Sequence, residues 1–252
     1  MSEENTFPNR LNPSLPLYVQ IAESLIDQIV SGKLSPEDRL PSERNLSQQL
    51  NVSRMTLRAA LQELESKGLI VRRTGDGTYV AKPKIERQAS KLEPFTQGMR
   101  QRGYQTSARL IVFEQRLAEV SIASQLRIPV STRVYYFQRL RLINQEPVML
   151  EKCSMPISRC PGFDRYDLEK RSVYEILSTE YGITVHHAEQ SLEAVTATEF
   201  EAELLQLLPG AAVMLEQRLA FDMDGVPVEL GNDLYRGDRF RFITEIAPLA
   251  MD

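Results

Sequence analysis

The sequence predicts an α+β chain built in two parts: three short helices closed by a hairpin, then a larger region in which antiparallel strands alternate with helices. Three observations carry this. Helical periodicity recurs three times before residue 68, and each run stops at a glycine or asparagine. From residue 107 onward, β-prone runs such as "RVYYFQRLRLI" and "VPVELGNDLY" are interleaved with amphipathic pieces such as "RSVYEILSTEYG". Charge divides at the same place. Residues 39–84 hold nine Lys/Arg against four Asp/Glu, a balance of +5, whereas residues 85–252 carry a balance of −5. The net charge of −4 over all 252 residues hides a basic part and an acidic one.

Bulk composition narrows the class further. With 42% hydrophobic residues the chain can bury two modest cores. Its first residues, "MSEENTFPNRLNP", are polar, and no run approaches the ~18 apolar residues of a membrane span, so a cytoplasmic address and no membrane partner are expected. Cys153 and Cys160 have no histidine beside them. They are expected as reduced structural thiols, with no metal site and no cofactor.

Residues 1–14 are expected as a polar tail. The first helix follows in "PLYVQIAESLIDQIVSG", where Ile21, Leu25, Ile26 and Ile29 share one face and Gly32 terminates it. A proline-marked loop then leads to a short second helix capped by Ser42 and ended by Asn51. Ser53 caps the third, "SRMTLRAALQELESKG", whose stripe Leu57, Ala60, Leu61 and Leu64 faces a core. Arg54 and Arg58, one helical turn apart, lie on the other side at its N-terminal end. Taken alone, such a pair is a solvated face. After Gly68, "LIVRR" and "TYVA" flank a Gly-Asp-Gly turn and read as a hairpin. Three helices with a tight second-to-third turn and a hairpin make a winged helix-turn-helix over residues 15–82, in which the third helix presents its N-terminal residues to the major groove.

The run "LPSERNLSQQLNVSRMTLRAALQELESKGLIVRRTGDGTYV" resembles the DNA-binding domain of the GntR family of bacterial transcriptional regulators. The resemblance implies operator contacts from Arg44, from Ser53, Arg54, Thr56 and Arg58, and from the wing tip at Thr74, Gly75 and Gly77. Glycine at those turn positions lets backbone approach DNA closely, although an ordinary hairpin turn accepts the same residues.

Residues 83–92 are polar and expected as a linker, and the second domain is expected over 93–248. Within it "IPVSTRVYYFQRLRLINQEPVMLEK" and "LPGAAVMLEQRLAFDMDGVPVELGN" share a helix-ending proline, a "QRL" strand, a turn and a "PV" return strand. If the repeat is more than chance, it predicts one sheet of two similar halves, with helices on one face and a cleft between the halves. Alternation in "QRLRL" puts Arg139 and Arg141 on one face of their strand. Two inward guanidiniums need partners, supplied either by a bound phosphate or carboxylate or by internal pairing to Glu151 or Glu229.

The pattern "RLR…EPVMLEKCSMP…SVYEIL…PVELGNDLYRGDRFRF" resembles the effector-binding (UTRA) domain, with its chorismate-lyase-like fold, of the HutC subgroup of these regulators. The resemblance implies a small-molecule site at Arg139, Arg141, Ser172, Tyr174, Glu229 and Tyr235, with Glu151 a further candidate. Where relatives carry a small hydroxyl residue that helps cradle phosphate, this chain has Glu93 and Pro94 in "LEPFT".

Together these readings lead to a ligand-responsive regulator, a repressor acting as a homodimer on a palindromic double-stranded operator and controlled by a small anionic metabolite such as a sugar phosphate. The alternative is an enzyme whose chorismate-lyase-like cleft acts on a small acid. Against it, the adjacent histidines 186 and 187 lie in a strand-like run that points them apart, and no nucleophile–base pair is evident, so no catalytic residue is assigned.

Overall fold

The computed structural model describes residues 14–73 and 75–246, which form two compact units meeting between Lys84 and Ile85. The expected tail, except for Ser14, the wing residue Thr74 and the last residues of the expected second domain lie outside the described residues.

The first unit holds α1 (Leu17–Val30), α2 (Glu43–Gln49), α3 (Arg54–Ser66), β1 (Ile70–Arg73) and β2 (Gly77–Val80). Both expected caps form: Ser42 Oγ accepts from Asn45 N and Ser53 Oγ from Thr56 N. Asn51 takes a positive φ of 51°, so the chain leaves α2 and re-enters a helix within a few residues. One core gathers Ile21 and Leu25 of α1, Leu46 of α2, Leu57, Leu61 and Leu64 of α3, and Val80 of the hairpin. Leu57 and Leu64 are fully buried, and truncating either to Ala would cost about 2–5 kcal/mol.

The second unit begins earlier than the sequence suggests. Inside the stretch read as a linker, β3 (Ile85–Gln88) pairs in parallel with β10 (Phe240–Ile243). Ile85 and Arg87 are buried there while Glu86 and Gln88 face out, an alternation too short to stand out from its polar surroundings. Then come α4 (Phe95–Gln101), β4 (Thr106–Leu117), α5 (Val120–Leu126), β5 (Arg133–Ile143), β6 (Glu146–Pro156), α6 (Val173–Tyr181), β7 (Val185–Thr196), α7 (Glu199–Leu205), β8 (Ala212–Asp222) and β9 (Pro227–Arg236).

Six of these strands form one antiparallel sheet in the order β4-β5-β6-β9-β8-β7. The internal repeat is legible in that order. Each half runs strand, helix, hairpin, and the return strands β6 and β9 meet at the centre. Even the helix ends match, since α5 and α7 both stop at a residue of positive φ, Arg127 at 53° and Gln206 at 55°.

Helices cover both faces of this sheet, a correction to the expected single layer. On one face α5 packs over Val134 and Leu230, and α7 over Leu140, Leu150 and Leu234. On the other, α6 packs over Tyr135, Phe137, Cys153 and Met155, and α4 over Met149 and Tyr235. The physical reason is that the central strands bury side chains in both directions, so neither face can be left to water.

Candidate functional site

The α3 face expected to meet DNA is exposed and cationic. Arg54 and Met55 project outward from its first turn, and Thr56 is tied back by a 2.8 Å hydrogen bond between its hydroxyl and that of Ser53. Arg44 on α2 is also exposed, and among the described residues neither it nor Arg54 has an ion-pair partner. Arg58 differs. Its Nε lies 2.7 Å from Glu43, a carboxylate that also faces Arg72 at 3.7 Å. At the wing, Gly75 and Gly77 adopt φ of 76° and 150°, values that other residues take only under strain. Arg73 stacks 4.1 Å over the Tyr79 ring and pairs with Glu37 at 2.9 Å, which stiffens the base of the turn.

In the second unit all seven residues expected at the small-molecule site line one cavity, beneath α4 and the start of α6. Its floor is the sheet face carrying Arg139, Arg141, Met149, Glu151, Asp233, Tyr235 and Glu229, with Glu216 and Arg218 beyond. Arg139 is fully engaged by the protein. Nε and Nη2 bind Glu151 at 2.9 and 2.8 Å, and Nη1 donates to the carbonyls of Leu168 and Arg171 at 2.7 and 3.2 Å. Of the two partners the sequence leaves open for the arginine pair, the structure uses Glu151 and not Glu229.

Arg141 is less committed. Nη1 binds Glu151 at 3.0 Å and Nη2 binds Thr96 Oγ1 of α4 at 2.6 Å, while Nε is buried without a partner. Burial alone would raise the Glu151 carboxyl, but Arg139 and Arg141 outweigh it and hold the group at about 2. This end of the cavity therefore has two guanidiniums for one carboxylate.

The other end inverts the ratio. Arg218 reaches Glu216 at 3.2 Å, Glu229 at 3.0 Å and Asp233 at 3.2 Å, so one guanidinium serves three carboxylates. Tyr235 Oη donates to Glu216 at 2.8 Å. Oε2 of Glu229 and the hydroxyl of Tyr174 are both buried, and the two side chains interact with each other. Burial pushes the Asp233 carboxyl well up, against the pull of Arg218.

Sequence reasoning missed Arg218, Glu216 and Asp233, yet a signal existed. Aligning the two "QRL" triplets pairs Arg139 with Arg218. The cationic end thus comes from the first repeat and the anionic end from the second.

Above the sheet, Ser172 caps α6 from its backbone only, so its hydroxyl is not spent on the helix. The first helical bond runs from Ile176 N to Ser172 O, which leaves the preceding amides of the turn without intrahelical partners. Pro94 precedes α4 and lacks a donor, as its sequence implies. Glu93 also lines the cavity, with its carboxylate paired to Arg102 at 2.8 Å.

Two family descriptions match: "Bacterial regulatory proteins, gntR family" over residues 17–80 and "UTRA domain" over residues 101–241. The chain is 34% identical to the HTH-type transcriptional repressor NagR of Bacillus subtilis over 235 residues, covering 93% of this chain and 96% of that protein. It is 30% identical to the histidine utilization repressor of Pseudomonas aeruginosa, with 90% of this chain and 89% of that one covered. Among solved structures, PhnF from Mycobacterium smegmatis superimposes with a TM-score of 0.64 at 29% identity, over 90% of this chain and 99% of that one. No described helix is long and apolar enough to cross a membrane. A DNA-binding helix-turn-helix followed by a small-molecule-binding domain, with relatives that are repressors rather than enzymes, places this chain in the GntR family of bacterial transcriptional regulators, in its HutC subgroup.

Proposed function

We propose that the chain is a cytoplasmic repressor that binds a palindromic operator as a homodimer, and that a small anionic metabolite, a sugar phosphate or a related acid, controls it from the cavity of the second unit. Arg44, Ser53, Arg54, Thr56 and Arg58, with the wing at Thr74, Gly75 and Gly77, would meet the DNA. Arg54 and Arg58 would read base edges, while the backbone at the wing would track phosphates. One winged helix makes few phosphate contacts, and a two-fold dimer on half-sites about one helical turn apart is the usual remedy.

For the effector site, the observation that carries the reading is Arg141. Its side chain is 6% exposed, and its Nε is aimed at no protein acceptor. A buried charged donor left unmatched costs about 1–3 kcal/mol or more, and an anionic ligand removes that cost. Thr96, Ser172 and the open amides of α6 stand beside it to complete the cradle.

The test uses the full chain and a duplex selected from random DNA. Two chains per duplex are expected, with affinity falling steeply as salt rises because phosphate contacts release counterions. Adding a bound metabolite should change operator affinity by a coupling of about 1–3 kcal/mol, and the operator should change metabolite affinity by the same factor. One chain per duplex would refute the dimer, and a tightly held metabolite with no effect on DNA would refute the control.

A further inference from the structure

We propose that two copies of this chain meet at β7, whose free edge pairs antiparallel with the partner's β7 about a two-fold axis at Gln190 and joins two six-stranded sheets into one. The proposal deepens the homodimer reading above and rests on it.

The sheet treats its two edges differently. On β4 a bulge lies between Leu110 and Val112, and the Leu110 amide donates to Glu169 Oε1 at 2.8 Å, so that edge is bent and partly covered by the segment leading into α6. β7 has neither device. It runs for twelve residues, holds an unbroken register with β8 from His187 to Thr196, contains no lysine or proline, and buries none of its side chains. Among the described residues no backbone group on its outer edge meets a protein partner. Proteins blunt long edge strands because the open row of N–H and C=O groups is a template for another chain. An edge left in this state is one that a partner strand completes.

The sequence of β7 indicates which partner. Registers centred on Glu189 or Ser191 set Glu189 against the partner's Glu189 or the partner's Glu193, and like charges directly opposite are destabilising. Centring on Gln190 removes both clashes and still overlaps residues 185–195. On one face it sets His187 against the partner's Glu193, Glu189 against the partner's Ser191, and Val185 against the partner's Val195. On the other, Ala188 meets the partner's Leu192. Each pair occurs twice, and each matches a donor to a carboxylate or apolar to apolar. Such self-complementarity belongs to a strand that meets its own copy, and a partner of unrelated sequence does not account for it.

The test uses the full-length protein. Gln190→Cys should form a disulfide-linked dimer on mild oxidation, because directly opposed Cα atoms lie about 4.5–5.5 Å apart and a disulfide spans about 4.4–6.8 Å. The native Cys153 and Cys160 are buried and do not compete. Glu193→Cys alone should stay unlinked, since its copy lies six residues along the partner strand, about 20 Å away. Combined with His187→Cys it should link. In sedimentation equilibrium Glu193→Lys should weaken the dimer tenfold or more, and adding His187→Glu to it should restore the dimer to within about threefold. Poor folding of the first variant would not produce that rescue. A wild-type dimer that neither links through Gln190→Cys nor responds to Glu193→Lys has its interface elsewhere, which overturns the β7 pairing and leaves the homodimer reading in place. Linking by Glu193→Cys alone overturns the register. A wild type that is monomeric with and without operator DNA overturns both readings.

Discussion

Arg139 and Glu151 face each other across β5 and β6 and are joined by two hydrogen bonds of 2.9 and 2.8 Å, buried to 2% and 10% side-chain exposure. Two backbone carbonyls from the segment leading into α6 take the remaining nitrogen of Arg139. The pair therefore ties the sheet to the segment that aims Ser172 and Tyr174 at the cavity. Arg139→Ala would strand a buried carboxylate with only Arg141 to balance it, and should cost about 3–5 kcal/mol. Denaturant unfolding of the second unit checks this. A loss under 1 kcal/mol would show that the pair is dispensable for the fold.

The same carboxylate sets an acid limit. Glu151 titrates at about 2 in the folded chain, against roughly 4.3 when unfolded. A depressed carboxyl contributes stability that is fully present above the unfolded value and is lost as pH falls through the folded one. The contribution is about 3 kcal/mol, disappearing between roughly pH 4.5 and 2. Stability measured against pH for the wild type and for Glu151→Gln should converge across that window. Parallel curves would mean that Glu151 is not the group responsible.

How much of this was readable beforehand depended on the range of the signal. Ser42, Ser53 and Gly68 are local punctuation, and they bound the helices where the sequence places them. "RVYYFQRLRLI" became β5 residue for residue because the β-prone Val134–Phe137 leads into an alternating Arg/Leu stretch that ends at a tight turn, at Asn144 and Gln145, both of positive φ. By contrast β3 and β10 have four residues each and exist only because they find one another across the chain, something no local window contains. Whether the arginines bind ligand or protein was also non-local. Arg139 and Arg141 look equivalent in sequence, and partners far along the chain distinguish them, the carbonyls of Leu168 and Arg171 for the first and Thr96 for the second.

On the DNA side, Arg54 and Arg58 are expected to behave differently. Arg54 is exposed without an ion-pair partner among the described residues, so Arg54→Ala should remove about 1–3 kcal/mol from operator binding and far less from random DNA. Arg58 must share itself with Glu43. Glu43→Gln should free it and remove a negative charge near the phosphates, strengthening binding, most visibly at low salt. Fluorescence anisotropy on cognate and scrambled duplexes measures both. Weaker binding by Glu43→Gln would mean that the carboxylate positions Arg58 instead of restraining it.

Arg141 provides the sharpest separation of fold from control. Its removal leaves Glu151 bound to Arg139 by two hydrogen bonds, so the buried carboxylate stays compensated and the unfolding cost should be well below that of Arg139→Ala. What is lost is the Thr96 link to α4 and a buried guanidinium nitrogen with no protein acceptor. Arg141→Ala should accordingly keep operator affinity near normal without ligand while abolishing the response to an anionic effector. Arg141→Lys keeps the charge but cannot restore the planar fork, and should recover only part of the response. Melting temperature, operator affinity and ligand response on these two variants decide the matter. If Arg141→Ala melts as early as Arg139→Ala and loses DNA binding with it, Arg141 is a structural partner of Glu151, and the anion must be held elsewhere.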